Sequence, residues 1–259
     1  MTWAGERRLQ YIGGVMIFAA LISGAVYWKY FKKAPMCTDG IQNGTETGID
    51  CGGICSNYCK NDIADPKIIW RQSFTVTPTA STAVAYIAHG YAGASTRNMK
   101  YRFELFDANE NVLATRDGNT FVGTVGNTAI VEPLIQVAGA QVARVKFSIL
   151  GNILWEKTDP TISTLVIKTD INTIEPFSAG TRVRSLLENK TDTSFSNIPV
   201  AIILYDKDDN AIASSIATVP SIPANQNKEI VFTWPDTNLA KQIAHIEVLP
   251  RINPFTVQK

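Results

Sequence analysis

The second part of the chain repeats itself, and this repetition constrains the fold more than any other feature. The segment YRFELFDANENVLA at 101–114 aligns with VAIILYDKDDNAIA at 200–213 at an offset of 99 residues. Two further pairs of segments match in the same order: 127–132 with 227–232 at an offset of 100, and 142–147 with 243–248 at an offset of 101. A register this constant predicts two copies of one domain, each of about 95 residues.

Each copy has the residue pattern of β-structure. In the first copy, YRFEL at 101–105 alternates apolar and charged side chains, which places them on opposite faces of a strand. The loops DANEN and DKDDN follow, and we expect their first residues, Asp107 and Asp206, to hold hairpin turns rather than bind a metal. Short strands separated by turns predict a sandwich of two sheets in each copy, over 61–159 and 160–259.

The two predicted strands that lead into these loops end in a motif that resembles a known family. FELFD at 103–107 and IILYD at 202–206 resemble the motif of the FxLYD domains, immunoglobulin-like β-sandwiches found outside bacterial and archaeal cells. Ile202 replaces the phenylalanine of the motif and Phe106 replaces its tyrosine, and both changes keep the apolar pattern. The resemblance covers both copies. It implies a non-catalytic extracytoplasmic module and transfers no catalytic residue to this chain.

An uncharged apolar run occupies residues 9–28 near the N-terminus. Twenty helical residues at about 1.5 Å each span the roughly 30 Å of a bilayer core, so we predict a transmembrane helix in contact with lipid, with a flank to residue 33. Aromatic and basic residues typical of membrane interfaces border the run: Arg7, Arg8, Tyr11, Tyr27, Trp28, Lys29, Tyr30, Lys32 and Lys33. The alternative is a cleavable signal peptide, with Ser23 and Ala25 at its cleavage site.

The distribution of basic residues does not orient this helix, because Lys and Arg are found close to both of its ends. Four cysteines followed by a long β-type sequence favour an oxidising exterior. We therefore predict a single-pass protein of the cell membrane, with a cytoplasmic tail at 1–8 and with residues 34–259 outside. The predicted fold is mainly β, with two tandem immunoglobulin-like sandwiches, one N-terminal transmembrane helix and a small disulfide-rich module at 34–60.

All four cysteines of the chain, Cys37, Cys51, Cys55 and Cys59, lie in that module. They predict disulfides, but spacing alone leaves all three pairings open. Zinc is the second choice, because structural zinc sites bring closely spaced pairs of ligands from two places, and here one cysteine stands apart with no histidine nearby. The stretch resembles the C-x-D-G-x-x-N-G-x-E-x-x-x-D-C-G-G-x-C segments of extracellular and surface proteins, which implies an exterior location.

Oxygen-bearing residues in the same module suggest a cation. Asp39, Asn43, Glu46 and Asp50 are interleaved with glycines, and oxygen ligands on a loop that glycines allow to curl are what calcium requires. The EF-hand order of residues is absent. The alternative is a polar, glycine-rich surface loop that is closed by disulfides and binds no ion.

The remaining features exclude several classes of function. A net charge of +1, with no basic cluster beyond the helix flank, argues against nucleic-acid binding. His89 and His245 stand outside nucleophile or metal motifs, and no phosphate-binding loop occurs, so we expect no enzyme. Trp70, Trp155 and Trp234 are expected to pack in the sandwiches or at a domain seam. We predict binding or assembly at the cell envelope through a protein partner, or alternatively a structural subunit of a secretion or pilus apparatus.

Overall fold

The structure is a computed structural model that describes residues 3–30, 36–123, 125–164 and 167–257. The chain forms two compact units, Met1–Cys55 and Ser56–Lys259. About half of the chain is strand, so the predicted mainly β fold with one apolar N-terminal helix and disulfides is confirmed.

The first unit begins with one long helix, α1, over Trp3–Tyr30. Its stretch Arg7–Lys29 is long and apolar enough to cross a membrane, and its most apolar part is not buried against the rest of the chain. No proline interrupts it, so its backbone hydrogen bonds run without a break. The helix predicted over 9–28 is therefore present. Lys32 and Lys33, predicted to border its end, lie outside the described residues.

The described residues of the second unit form thirteen strands. The first seven are β1 Lys67–Thr77, β2 Ala80–His89, β3 Ala94–Phe106, β4 Val112–Val122, β5 Gly126–Gln136, β6 Arg144–Leu150 and β7 Glu156–Lys157. A short 3₁₀ turn, Pro160–Thr164, precedes the other six: β8 Ile167–Phe177, β9 Gly180–Asn189, β10 Phe195–Tyr205, β11 Ala211–Ile222, β12 Asn227–Trp234 and β13 His245–Pro250. A second 3₁₀ turn, Leu239–Lys241, lies before β13.

These strands form two pairs of antiparallel sheets with the same internal order. The orders β1-β2-β5 and β4-β3-β6 in the first pair correspond to β8-β9-β12 and β11-β10-β13 in the second. Equivalent residues of the repeated sequence occupy equivalent places in the ladders, since Leu105 pairs with Val145 and Leu204 pairs with Ile246. We call the two pairs of sheets the first and second sandwich.

A separate apolar core fills each sandwich. Phe103, Phe147 and Trp155 belong to the first core, and Leu204 and Trp234 belong to the second. Burying one such side chain contributes roughly 1.5–3 kcal/mol. Trp155 and Trp234 therefore pack inside the sandwiches, as predicted.

The two sandwiches also pack against each other, and we call this contact the seam. Its apolar cluster joins β1, β2 and β5 to β10 and contains, among others, Phe74, Val84, Val131, Ala201 and Ile203. Alternate side chains of β2 and of β10 point into a sandwich core, and the side chains between them point into the seam. These two strands are thus buried on both faces, which is unusual for strands of antiparallel sheets.

The segment after β13 returns to the first sandwich. Arg251 donates hydrogen bonds to the Thr120 hydroxyl group and to the Phe121 carbonyl group, and its guanidinium lies 4.5 Å from the centre of the Phe121 ring. A β-carbon on Gly123 would collide with Pro254, so only glycine lets the two segments approach this closely. The end of the second sandwich is therefore fastened to β4 and the residue that follows it.

The two predicted hairpin turns are held by their aspartates. The Asp107 carboxylate accepts the backbone N–H groups of Asn109 and Asn111, and Asp206 accepts those of Asp208 and Asn210. Hydrogen bonds lower the pKa of both carboxyl groups: the largest cause is the Asn111 side-chain amide at Asp107 and the Asn210 N–H group at Asp206. The predicted turn role of the two aspartates agrees with these contacts.

Candidate functional site

The four cysteines of the described residues are oxidised. Cys37 is bonded to Cys55, and Cys51 and Cys59 are also disulfide-bonded, so the four described cysteines include no free thiol. The sequence predicted disulfides but could not select among three pairings, because spacing does not show how the loop folds back.

Asp39 and Asp50 hold the loop between Cys37 and Cys51. The Asp50 carboxylate accepts the N–H groups of Asp39 at 3.0 Å and of Gly40 at 2.9 Å. The Asp39 carboxylate in turn accepts the N–H group of Ile41 at 3.0 Å and the Asn43 amide nitrogen at 2.9 Å. A carboxylate that accepts two such donors is stable in a turn without a cation. Calcium binding by Asp39, Asn43, Glu46 and Asp50 stays a prediction.

Glu46 differs from these aspartates because it is buried, with 9% of its surface exposed. Its Oε2 accepts the N–H group of Asn43 at 3.2 Å, and the Glu46 N–H group donates to the Asn43 carbonyl group at the same distance. Its Oε1 lies 3.3 Å from Sγ of Cys55, which carries no hydrogen in a disulfide. The sulfur atoms of Cys37 and Cys55 and a carboxylate oxygen of Glu46 all lie within 4.8 Å of one another. We call these three residues the sulfur–carboxylate cluster.

Asn43 belongs to the same turn as Glu46. Its Nδ2 donates to Asp39, which fixes Oδ1 as the other end of the amide, and Oδ1 is buried without a hydrogen-bond partner among the described residues. A buried acceptor without a donor costs about 1–3 kcal/mol. The sequence pointed to Asn43 and Glu46 but not to the contact of Glu46 with Cys55.

Both histidines pack against aromatic rings of the second unit. His89 is buried, its Nε2 lies 2.9 Å from the Ala94 carbonyl oxygen, and its ring stacks on Trp155 at 4.6 Å. Burial lowers its pKa. His245 stacks on Tyr205 at 4.4 Å and is exposed.

A groove of about 580 Å³ opens between β1 and β6 in the first sandwich. Trp70, Arg71, Arg144 and Val145 are among its lining residues. Arg71 bridges the groove by donating from Nε to the Val145 carbonyl group at 3.3 Å. Among the described strands, β1 pairs only with β2 and β6 only with β3, so each borders the groove with an unpaired edge. Sequence reasoning did not find this groove.

Comparisons with known proteins give no family. No protein-family model matches the chain, and no curated protein does either. A β-glucuronidase of glycoside hydrolase family 2 is 11% identical, with a TM-score of 0.22, over 87% of this chain and 28% of that one. A putative β-galactosidase from Bacteroides fragilis is 12% identical, with a TM-score of 0.22, over 70% of this chain and 34% of that one.

A third solved structure, the tandem CBM22 domains of Xyn10C from Paenibacillus barcinonensis, is 9% identical, with a TM-score of 0.15, over 78% of this chain and 91% of that one. The chain spans about a third or less of the two glycosidases. Likenesses this distant carry no functional conclusion.

Proposed function

We propose that this chain is a membrane-anchored, extracytoplasmic binding or assembly protein of the cell envelope, without catalytic activity. The observation that carries the proposal is α1, whose stretch Arg7–Lys29 is apolar and whose most apolar part is not buried in the chain. In water, an exposed apolar surface of this length is strongly unfavourable, whereas a bilayer accepts it. The helix thus acts as the anchor and the sandwiches as the part that meets a partner.

The proposed orientation rests on the cysteines. Disulfides persist in oxidising compartments and are rare in the cytosol, so residues 34–259 lie outside and 1–8 inside. The matching strand orders and the FxLYD-like segments at 103–107 and 202–206 support two immunoglobulin-like domains that arose by duplication. In this proposal the two sandwiches present their strand edges and loops to a partner.

The groove between β1 and β6 is the surface that we propose for a protein partner. Two unpaired strand edges border it, and an extended peptide can add to such an edge through main-chain hydrogen bonds. Trp70 supplies an aromatic wall and stacks on Tyr86 at 5.2 Å. Arg71 has no carboxylate partner among the described residues and offers a charge to an acidic side chain.

The test expresses the chain with a C-terminal epitope in a bacterial host. We expect the protein to stay in the membrane pellet after alkaline washing, and we expect an antibody to label the epitope once the outer layers are opened but the inner membrane is intact. The matched control carries the epitope before residue 1 and should be labelled only after the inner membrane is permeabilised. Release into the wash, or the reverse labelling pattern, would reject the proposal.

The second candidate function is a structural subunit of an envelope machine. It is distinguished from partner binding by the proteins that co-purify with the chain from the membrane. A large complex that survives mild detergent and persists when Arg71 is changed to Glu would favour it. Loss of the bound partner in Arg71→Glu, with Arg97→Glu as an exposed control, would support partner binding in the groove.

A further inference from the structure

We propose that the loop of residues 36–55 docks on the lipid surface beside α1, with its exposed apolar side chains in the headgroup layer. The inference rests on the proposed function, because it requires α1 to cross a bilayer. It adds a second contact with lipid, outside the helix and independent of the groove between β1 and β6.

The large apolar side chains of the described segment 36–55 point outward. Apart from the cysteines there are four, each with between 55% and 73% of its surface exposed: Met36, Ile41, Ile49 and Ile54. The buried side chains are Glu46 and Cys55 of the sulfur–carboxylate cluster, because a segment this small cannot build an apolar core. Single exposed apolar residues are ordinary, but four in one short loop mark an interaction surface. We call these four residues the apolar loop surface.

Two turns of the loop carry Ile41 and Ile49. The Asp39 carboxylate accepts the Ile41 N–H group at 3.0 Å, and the Asp50 carboxylate accepts the Gly40 N–H group at 2.9 Å. Asp50 has a φ of 55°, a left-handed backbone conformation typical of a tight turn. Ile49 precedes Asp50 and Ile41 follows Gly40, so one hydrogen bond holds together the two turns that bear the isoleucines.

The disulfide holds the other two residues of the apolar loop surface. The Cα atoms of Cys37 and Cys55 lie 5.6 Å apart, and Met36 and Ile54 directly precede these cysteines. Both side chains flank the bond that closes the loop, and closing it does not bury them.

The anchor keeps this surface close to lipid. Lys29 ends the stretch of α1 that can cross a bilayer, so Tyr30 would lie at the membrane interface. Met36 follows six residues later, and an extended chain of that length spans at most about 20–22 Å. A headgroup layer is roughly 5–7 Å deep, and a tether this short gives the loop a high effective concentration at the bilayer.

The charges of the loop indicate apolar rather than electrostatic docking. Residues 36–55 contain three acidic residues, Asp39, Glu46 and Asp50, and no Lys or Arg. Asp39 and Asp50 accept N–H groups of the loop, so their carboxylates already have partners when the isoleucines enter the headgroup layer. Because no basic residue is present to attract anionic lipid, vesicles of phosphatidylcholine alone should support docking.

The test places the full chain in phosphatidylcholine vesicles that contain a little phosphatidylcholine with a photoreactive diazirine near the headgroup end of its acyl chain. After illumination, mass spectrometry of peptides locates the lipid adducts. We expect adducts on α1 and on residues 36–55, but not on Ile171 of the second sandwich, which is 54% exposed.

The outcomes separate the docking from the anchor. Adducts on α1 without adducts on 36–55 would overturn the docking and leave the anchor intact, and a loop covered by a second copy of the chain would give this result. Adducts on neither segment would overturn both. Equal labelling of Ile171 and of 36–55 would show contact without specificity and would also overturn the docking.

A double substitution tests the side chains themselves. Ile41→Ser/Ile49→Ser should lower the labelling of 36–55 at least about fivefold, because interfacial binding scales with the apolar area that enters the lipid. Labelling of α1 should not change. Ile171→Ser is the matched control and should leave both segments labelled as in the parent. Unchanged labelling of 36–55 in the double variant would overturn the role of the isoleucines, and the mass of the unreduced variant verifies that its disulfides have formed.

Discussion

The hydroxyl group of Tyr86, on β2 of the first sandwich, donates a hydrogen bond of 2.6 Å to Glu247, on β13 of the second. The other oxygen of the same carboxylate accepts the hydroxyl group of Tyr205 at 2.9 Å. The Glu247 carboxylate therefore accepts one hydrogen bond from each sandwich at the seam. Burial and the bond to Glu247 raise the pKa of Tyr86 to about 12.

Replacing Glu247 by Ala should destabilise the seam. Both phenol groups would lose their acceptor, and each unsatisfied, partly buried hydroxyl group costs about 1–3 kcal/mol. We expect the free energy of unfolding to fall by about 2–4 kcal/mol, measured by urea denaturation. Glu247→Gln keeps one acceptor oxygen and should lose about half as much. An unchanged denaturation midpoint in Glu247→Ala would show that the two hydrogen bonds do not hold the seam.

The repeated sequence provides a matched pair of substitutions for the seam. Ile203 is fully buried, whereas Glu104 occupies the equivalent position of the first copy and pairs with Lys146 at 2.7 Å near the surface. Ile203→Glu places a charge in the seam and should cost at least about 3 kcal/mol. Glu104→Ile loses only an exposed ion pair and should change stability by less than about 1 kcal/mol.

If the sandwiches are stable apart, Ile203→Glu should also split thermal unfolding into two transitions, as calorimetry would detect. Similar losses of stability in Ile203→Glu and Glu104→Ile would contradict the finding that position 203 is buried in the seam and position 104 is near the surface.

Arg251 should contribute more to stability than other arginines that lie over aromatic rings. It is buried, and burial lowers its pKa to about 10, so it stays protonated at neutral pH. Removing its hydrogen bonds to Thr120 and Phe121 by Arg251→Ala should cost about 2–4 kcal/mol. Arg97, exposed over the ring of Phe255 at 3.9 Å, is the control, and Arg97→Ala should cost about 1 kcal/mol or less. Equal losses in denaturation would reject the fastening role of Arg251.

His89 should make stability depend on pH below neutrality. Its pKa is lower in the folded chain than the usual 6.5, mainly because it is buried. The unfolded chain therefore binds the proton first, so stability is complete above about pH 6.5 and declines as pH falls toward the folded pKa. The slope from this group is at most about 1.4 kcal/mol per pH unit.

The control is His89→Asn, which removes the titrating group. Asparagine suits this position because Asn189 ends the equivalent strand β9. The amide nitrogen of Asn189 donates to the carbonyl groups of Thr193, Ile222 and Pro223. Midpoints of urea denaturation between pH 7 and pH 5 should decline less in this variant than in the parent. Parallel pH profiles for the two proteins would remove His89 as the cause.

Local pattern was enough to predict much of this protein. The uncharged apolar run at 9–28 predicted a long helix, because its length and composition match those of helices that span membranes. The alternation of YRFEL at 101–105 fixes a strand with one exposed face, since successive side chains of a strand point to opposite sides. The cysteines of 37–59 predicted disulfides by composition and spacing alone.

Contacts between distant segments decided the rest. In the run VAIIL at 200–204, Ala201 and Ile203 stand where YRFEL has Arg102 and Glu104. This loss of charge signals burial on both faces of the strand but does not show which sheet covers the second face. The pairing of Cys37 with Cys55, the contact of Glu46 with that disulfide, and the shared carboxylate of Glu247 were equally beyond reach. Each of these contacts joins residues that come together only when whole strands and loops pack. The sequence pattern shows which face of a strand is apolar, but it does not show which other segment packs against that face.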